Sequence, residues 1–155
     1  MLLWRLVPEA RKDAAFSGQG SREYGGRWNP RGAAVVYLAE HLSLAALESY
    51  VHLPRAALAM PYLAYRVTLP DDLRLRVVLN DELPPNWRDS PVPLDTQELG
   101  LRWLENGDSL LLSVPSAIIP QERNLVLNLD HADWQLASIS APEPFFFDSR
   151  MWQKP

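Results

Sequence analysis

Fourteen prolines are spread through 155 residues, and they set the limit on what this chain can fold into. A proline inside a helix lacks the amide hydrogen and clashes with the preceding turn, at a cost of roughly 3 kcal/mol. Long uninterrupted helices are excluded, which leaves short helices and strands between proline-bearing turns. Residues 2–7 are predicted as a strand closed by Pro8, and residues 16–32 as a glycine-rich loop. Residues 35–38 form a second predicted strand. Ser43 is expected to cap a helix over 44–53 that Pro54 ends. Two strands, 62–69 and 73–79, are expected on either side of a Pro70-Asp71-Asp72 turn. Residues 82–93 carry four of the prolines and read as a loop. A helix over 96–105 stops near Asn106-Gly107. Strands at 110–114, 125–128 and 144–147 complete the pattern. Strands do not alternate regularly with helices, so a doubly wound parallel sheet is disfavoured. The expectation is a compact α+β domain spanning 1–155, long enough to bury a core.

Charge and cysteine content narrow the function. The formal net charge is −4, and Arg11-Lys12 is the one pair of adjacent basic residues. A chain that grips several phosphates of DNA or RNA carries a basic balance or stripe, so direct nucleic-acid binding is not expected. There is no cysteine, which excludes disulfides, a thiolate nucleophile and zinc–thiolate sites. Arg5, Glu9 and Arg11 interrupt the apolar start, unlike a signal peptide. No apolar run approaches the ~18 residues of a membrane helix. A soluble, cytoplasmic protein is expected.

Three places offer chemistry. In Gly25-Gly26-Arg27-Trp28-Asn29-Pro30, paired glycines permit close approach of a ligand. Arg27 adds a planar fork of donors suited to phosphate or carboxylate. A structural turn with a surface arginine would show the same residues, and the spacing matches neither a Walker loop nor a Rossmann fingerprint. Glu48 is the second. It shares a helix face with Leu44, Leu47 and Val51. A carboxylate on an apolar stripe is costly unless it is paired, lies at a cleft or reaches water. Ser116 is the third, closing the apolar strand that ends in Val114-Pro115; a plain turn residue would look alike. His41, His52 and His131 have no metal-like spacing, so no metal is expected.

In order and spacing these segments resemble the RES family, named for an arginine, a glutamate and a serine. The similarity runs nearly end to end. Trp4-Arg5-Leu6 matches the first strand, Gly25-Gly26-Arg27-Trp28-Asn29 the arginine loop, and Val36-Tyr37-Leu38-Ala39-Glu40 the second strand. Leu44-Ala45-Ala46-Leu47-Glu48 with His52 matches the glutamate helix, and Gly100-Leu101-Arg102-Trp103-Leu104 the second helix. Val114-Pro115-Ser116-Ala117, Glu122-Arg123-Asn124 and Leu127-Asn128 match the serine segment, and residues 144–150 the closing strand.

The resemblance implies a fold similar to ADP-ribosyltransferases, with a cleft between two small sheets. It implies a toxin paired with an Xre-type helix-turn-helix antitoxin. The implied activity is breakdown of NAD+ as substrate, by hydrolysis or by phosphorolysis with inorganic phosphate; one branch instead transfers ADP-ribose to a protein. Catalytic roles carry over to Arg27, Glu48 and Ser116, with Tyr37 and Arg5 as further NAD-binding residues. Ser113, three residues earlier, competes for the serine role. The acceptor of ADP-ribose and the oligomeric state, including a homodimer, stay open. A catalytically inactive interaction module on the same fold is the reading from another class. One carboxylate suits the implied reaction. Nicotinamide leaves NAD+ neutral and needs no general acid, whereas ordinary glycosidases use two carboxylates because their leaving oxygen requires a proton.

Overall fold

The computed structural model describes residues 1–152; residues 153–155 of the expected domain lie outside the described residues. Eleven named elements follow in order: β1 (Leu2–Pro8), α1 (Gln19–Tyr24), β2 (Val35–Ala39), α2 (Leu42–Tyr50), β3 (Tyr62–Thr68), β4 (Leu75–Val77), α3 (Leu94–Asn106), β5 (Leu111–Pro115), β6 (Arg123–Asn128), β7 (Ser138–Ile139) and β8 (Glu143–Phe145), with short 3₁₀ turns between them. This is the mixed α+β class, with short helices throughout. Among the described residues, no helix is long and apolar enough to cross a membrane.

The strands lie in the order β4-β5-β6-β2-β1-β3-β7, and β8 also pairs with β3. Two separate small sheets were expected; the hydrogen-bonded path is continuous. It is nearly cut in two all the same. β1 meets β2 at the single register pair Trp4↔Ala39, whereas β1 and β3 share seven pairs and β2 and β6 share five. Arg5 explains how the two halves splay without orphaning backbone. Its Nη1 donates to the carbonyl of Tyr37 on β2 at 2.8 Å, and its Nε to the carbonyl of Ala15 at 2.8 Å. A side chain thus replaces ladder bonds that the diverging strands no longer make.

Several local expectations shift. Residues 73–79 do not form a hairpin with β3 across Pro70-Asp71-Asp72. The short β4 pairs in parallel with β5 at the other end of the sheet. β3 has no open edge: β1 occupies one side, and β7 and β8 occupy the other. Helix α2 begins at Leu42 with His41 as its N-cap residue, and no side chain caps it, so Ser43 lies inside the first turn. The glycine loop contains the six-residue helix α1. Gly107, at φ 62°, ends α3 in the left-handed region where a side chain would be strained.

The core has two main layers. Leu111, Leu112, Val114, Leu125, Val126 and Leu127 are buried on both faces of the central strands β5 and β6. On one side Trp28 and Trp103 pack with Val35, Leu112 and Val126; on the other Leu3, Val36, Leu38 and Val67 pack with Leu111 and Leu127. Helix α2 packs through Leu44 and Ala45 against Leu6, Ala39 and Ala64. That seat lays α2 over the β1–β2 split and carries Glu48 to it.

Candidate active site

The split opens into a cavity of about 600 Å³ whose walls include Trp4, Arg5, Gly26, Arg27, Tyr37 and Glu48. The volume lies within the range of small-molecule sites.

The arginine loop is built by close approach. A side chain on Gly26 would place its Cβ 2.5 Å from the Tyr37 hydroxyl and 2.8 Å from Asn29 Oδ1. Gly25 sits at φ 72°, a conformation open to glycine. The Tyr37 hydroxyl accepts from the Trp28 amide at 3.0 Å and donates to Asn29 Oδ1 at 2.8 Å. Asn29 is fully buried, and its amide donates to the carbonyls of Ser21, Pro30 and Ala33. Gln97 of α3 donates to the Gly26 carbonyl at 2.9 Å. Burial pushes the Tyr37 hydroxyl above its ordinary titration range, so at neutral pH it works as a neutral pin. Its ring lines the cleft; its polar end belongs to the loop.

Arg27 emerges from this loop half-buried. Its Nη1 donates to the carbonyls of Trp87 at 2.5 Å and Asp89 at 3.1 Å. Both hydrogens of that nitrogen are thereby engaged, and Nε and Nη2 remain for a ligand. The residues holding it belong to the proline-bearing stretch between Glu82 and α3. Trp87 packs on Trp28 with ring centroids 6.3 Å apart, Arg88 Nε donates to the Ala117 carbonyl at 3.0 Å, and Val92 lines the cleft. Burial lowers the Arg27 pKa and the charge of Glu48 opposes that shift; the guanidinium stays charged at neutral pH. Arg5, pushed down to about 10 by burial, is also a cation there.

Glu48 reaches the cleft with one oxygen engaged. Ser116 Oγ donates to Oε1 at 2.7 Å, and Asn124 Nδ2 donates to the same oxygen at 2.5 Å. Ser116 itself is fully buried. The amides of Ile118 and Ile119 donate to its oxygen at 3.1 and 3.0 Å. With both lone pairs occupied, the one hydroxyl hydrogen must point at Glu48. Oε2 takes no protein donor among the described residues.

Arg27, Glu48, Tyr37 and Arg5 therefore line one cleft, and Ser116 stands behind Glu48. Ser113 belongs elsewhere: it is buried and takes Arg123 Nε at 2.6 Å. Arg123 also bonds the carbonyls of Val78 and Ser113, tying the residue after β4 to β5. Asn124 is the residue that the reading of the sequence left without a role. The cross-strand register Trp4↔Ala39↔Asn124 runs straight across the split, but an isolated strand-end asparagine gives no sign of its partner. Among the described residues, no three histidine or acidic side chains gather as a metal-ligand set.

Comparison with known proteins places the chain in a family. A protein from Yersinia enterocolitica named Toxin Res is 37% identical over 153 residues, covering 97% of this chain and 99% of that one. A Pseudomonas putida protein of the same name is 38% identical over 157 residues, with 98% and 100% covered. A Sphingobium protein named Prs ADP-ribosylating toxin is 34% identical over 155 residues, with 97% and 96% covered. The fold is shared with a chain of the crystal structure of the M. tuberculosis MbcT–MbcA toxin–antitoxin complex, at a TM-score of 0.76 and 18% identity, over 94% of this chain and 84% of that one. The family model described as RES domain matches residues 2–148, and the chain belongs to the RES domain family.

Proposed function

We propose that this protein is the toxin of a toxin–antitoxin pair and that it cleaves the nicotinamide–ribose bond of NAD+. The observation that carries the reading is Glu48. A single carboxylate stands in a cleft of dinucleotide scale, one oxygen held by Ser116 and Asn124 and the other left for the cleft. Across from it Arg27 keeps two nitrogens of its fork free, the geometry that suits a pyrophosphate.

The reaction balances with these groups. The C1′–N bond breaks, and its electron pair goes to the pyridinium nitrogen, so nicotinamide leaves neutral. Positive charge builds on the ribose ring as it leaves, and the Glu48 carboxylate stabilises that charge. An acceptor oxygen bonds to C1′: water, which then gives up a proton to solvent, or an anionic oxygen of inorganic phosphate. Arg27 holds the pyrophosphate before and during the step, so it contributes binding that is uniform between ground and transition states. Tyr37 and Arg5 maintain the loop and the split that shape the cleft, and the Tyr37 ring is a wall for the substrate. Ser116 acts through Glu48.

A second reading, transfer of ADP-ribose to a protein, is favoured by the likeness to the Sphingobium protein named Prs ADP-ribosylating toxin. Both readings use the same donor site. Expression of the chain alone is expected to deplete cellular NAD+ and stop growth, and the purified protein to release nicotinamide from NAD+ with no protein acceptor present. Growth arrest at constant NAD+, with nicotinamide released only when protein is added, would transfer the assignment to the second reading. The pair's DNA-binding half is assigned to an Xre-type antitoxin, in keeping with the net charge of −4 of this chain.

Arg27→Ala should raise KM for NAD+ by about ten- to a hundredfold, the value of charge-assisted hydrogen bonds to phosphate, and change kcat less. Steady-state kinetics on the folded variant test this. An unchanged KM would remove Arg27 from the pyrophosphate. Some loss of kcat is compatible with the role, because a misplacement of about 1 Å can cost ~10² in rate.

A further inference from the structure

We infer that Asn124 is a positioning residue for the cleavage, acting as the second donor that fixes the Glu48 carboxylate. The inference rests on the NAD+-cleaving reading and adds a residue to it. Asn124 belongs to β6, separated from α2 by three strands in the chain's order, and its Nδ2 lies 2.5 Å from Glu48 Oε1. The orientation is set by charge: an ionised carboxylate attracts the amide N–H and repels the amide oxygen. Serine and asparagine bring two donors to one oxygen from different strand ends, Ser116 from behind and Asn124 from the cleft wall.

Two bonds to one oxygen do what a single bond cannot. A carboxylate held at one point can still rotate about its terminal torsion, which has a broad energy profile. A second donor on the same oxygen stops that rotation and leaves Oε2 in one place. Asn124 can hold this position because its backbone sits in register with Ala39 on β2, and Ala39 is in register with Trp4 at the one point where the two halves of the sheet meet. The point where the two halves of the sheet are joined thus carries the residue that aims the carboxylate. Asparagine suits the place. Aspartate would have the same shape but would set an acceptor and a like charge against Glu48.

The test uses that isosteric change in a double-mutant cycle on the full-length protein, with nicotinamide release and thermal melting both measured. Asn124→Asp should lower kcat at saturating NAD+ by about ten- to a hundredfold. In a Glu48→Gln background the same change should alter kcat by less than about twofold, because the carboxylate that Asn124 fixes is already absent. Asn124→Asp should likewise lower the melting temperature in the wild-type background, and by less beside Glu48→Gln, where the like-charge repulsion is gone. Unchanged kcat in Asn124→Asp, or losses of equal size in both backgrounds, would overturn the inference. Asn124→Leu removes the donor without adding charge, and so keeps a readable variant if facing carboxylates prevent folding; full kcat in that variant also overturns it. If the wild-type protein releases no nicotinamide, the NAD+-cleaving reading and the role built on it both fall, whereas turnover without coupling removes Asn124 alone.

Discussion

Glu48→Gln is expected to lower kcat for NAD+ cleavage by ~10²–10³, with the affinity for NAD+ nearly unchanged. The size follows from removing a charge that is useful only as the ribose becomes positive. The substitution is clean for a structural reason. A glutamine can present its oxygen to both Ser116 Oγ and Asn124 Nδ2, the two donors now held by Oε1. Its amide nitrogen then replaces the free Oε2, so the fold keeps its contacts and the cleft loses its anion. Substrate binding and turnover, measured separately on the purified variant, decide the matter. Turnover within a fewfold of wild type would show that the carboxylate has no part in the chemistry. A large loss of affinity with normal turnover would make Glu48 a binding group.

Gly100→Ala is expected to be the most damaging single methyl in the protein. A Cβ on Gly100 would lie 1.7 Å from the Trp28 carbonyl oxygen and 2.6 Å from its carbon. Both obstacles are backbone, so no side chain can swing aside, and α3 or the arginine loop must move. Overpacking of this type costs typically 1–3 kcal/mol, and more where the backbone is rigid. For a chain of this length a change of ~3 kcal/mol lowers Tm by about 6–12 °C. If the loop moves, Arg27 moves with it, and KM for NAD+ should rise as well. Gly20→Ala is the control. No atom lies within 4 Å of a Cβ there, and alanine is the better helix former by about 0.5–1 kcal/mol. Melting curves of both variants test the pair. A Gly100→Ala protein with wild-type Tm and KM would show that α3 does not buttress the loop.

Most of the fold was legible from the sequence where the signal is local. Apolar runs bounded by proline or glycine located β1, β2, β3, β5 and β6 to within a residue or two. Gly107 marked the end of α3, because a left-handed φ is a property of the residue itself. The α+β class followed from the absence of regular alternation. Strand partners were not local. The Pro70-Asp71-Asp72 turn looked like a hairpin, and β4 instead joined β5, because the edges of β3 are filled by strands distant in sequence. The expected pair of sheets became one sheet split at Trp4↔Ala39 for a similar reason: a buried guanidinium bridging two backbones has no signature in a strand pattern.

The same division runs through the site. Arg27 beside two glycines and Glu48 on an apolar stripe were conspicuous from their own neighbours, since a charge where the pattern asks for an apolar residue must have a reason. The sequence by itself therefore singled out Arg27 and Glu48 as candidates and excluded a thiolate. What each group does was decided by the tertiary structure. Ser116 is a hydroxyl turned toward Glu48 by the Ile118 and Ile119 amides, Asn124 is its companion, and Gly100 holds open the space for the Trp28 carbonyl. Each of these meets its partner, Glu48 for Ser116 and Asn124 and Trp28 for Gly100, within about 3 Å across segments far apart in the chain. Hydrogen bonding and steric exclusion act over that range of space and leave no periodicity along the sequence.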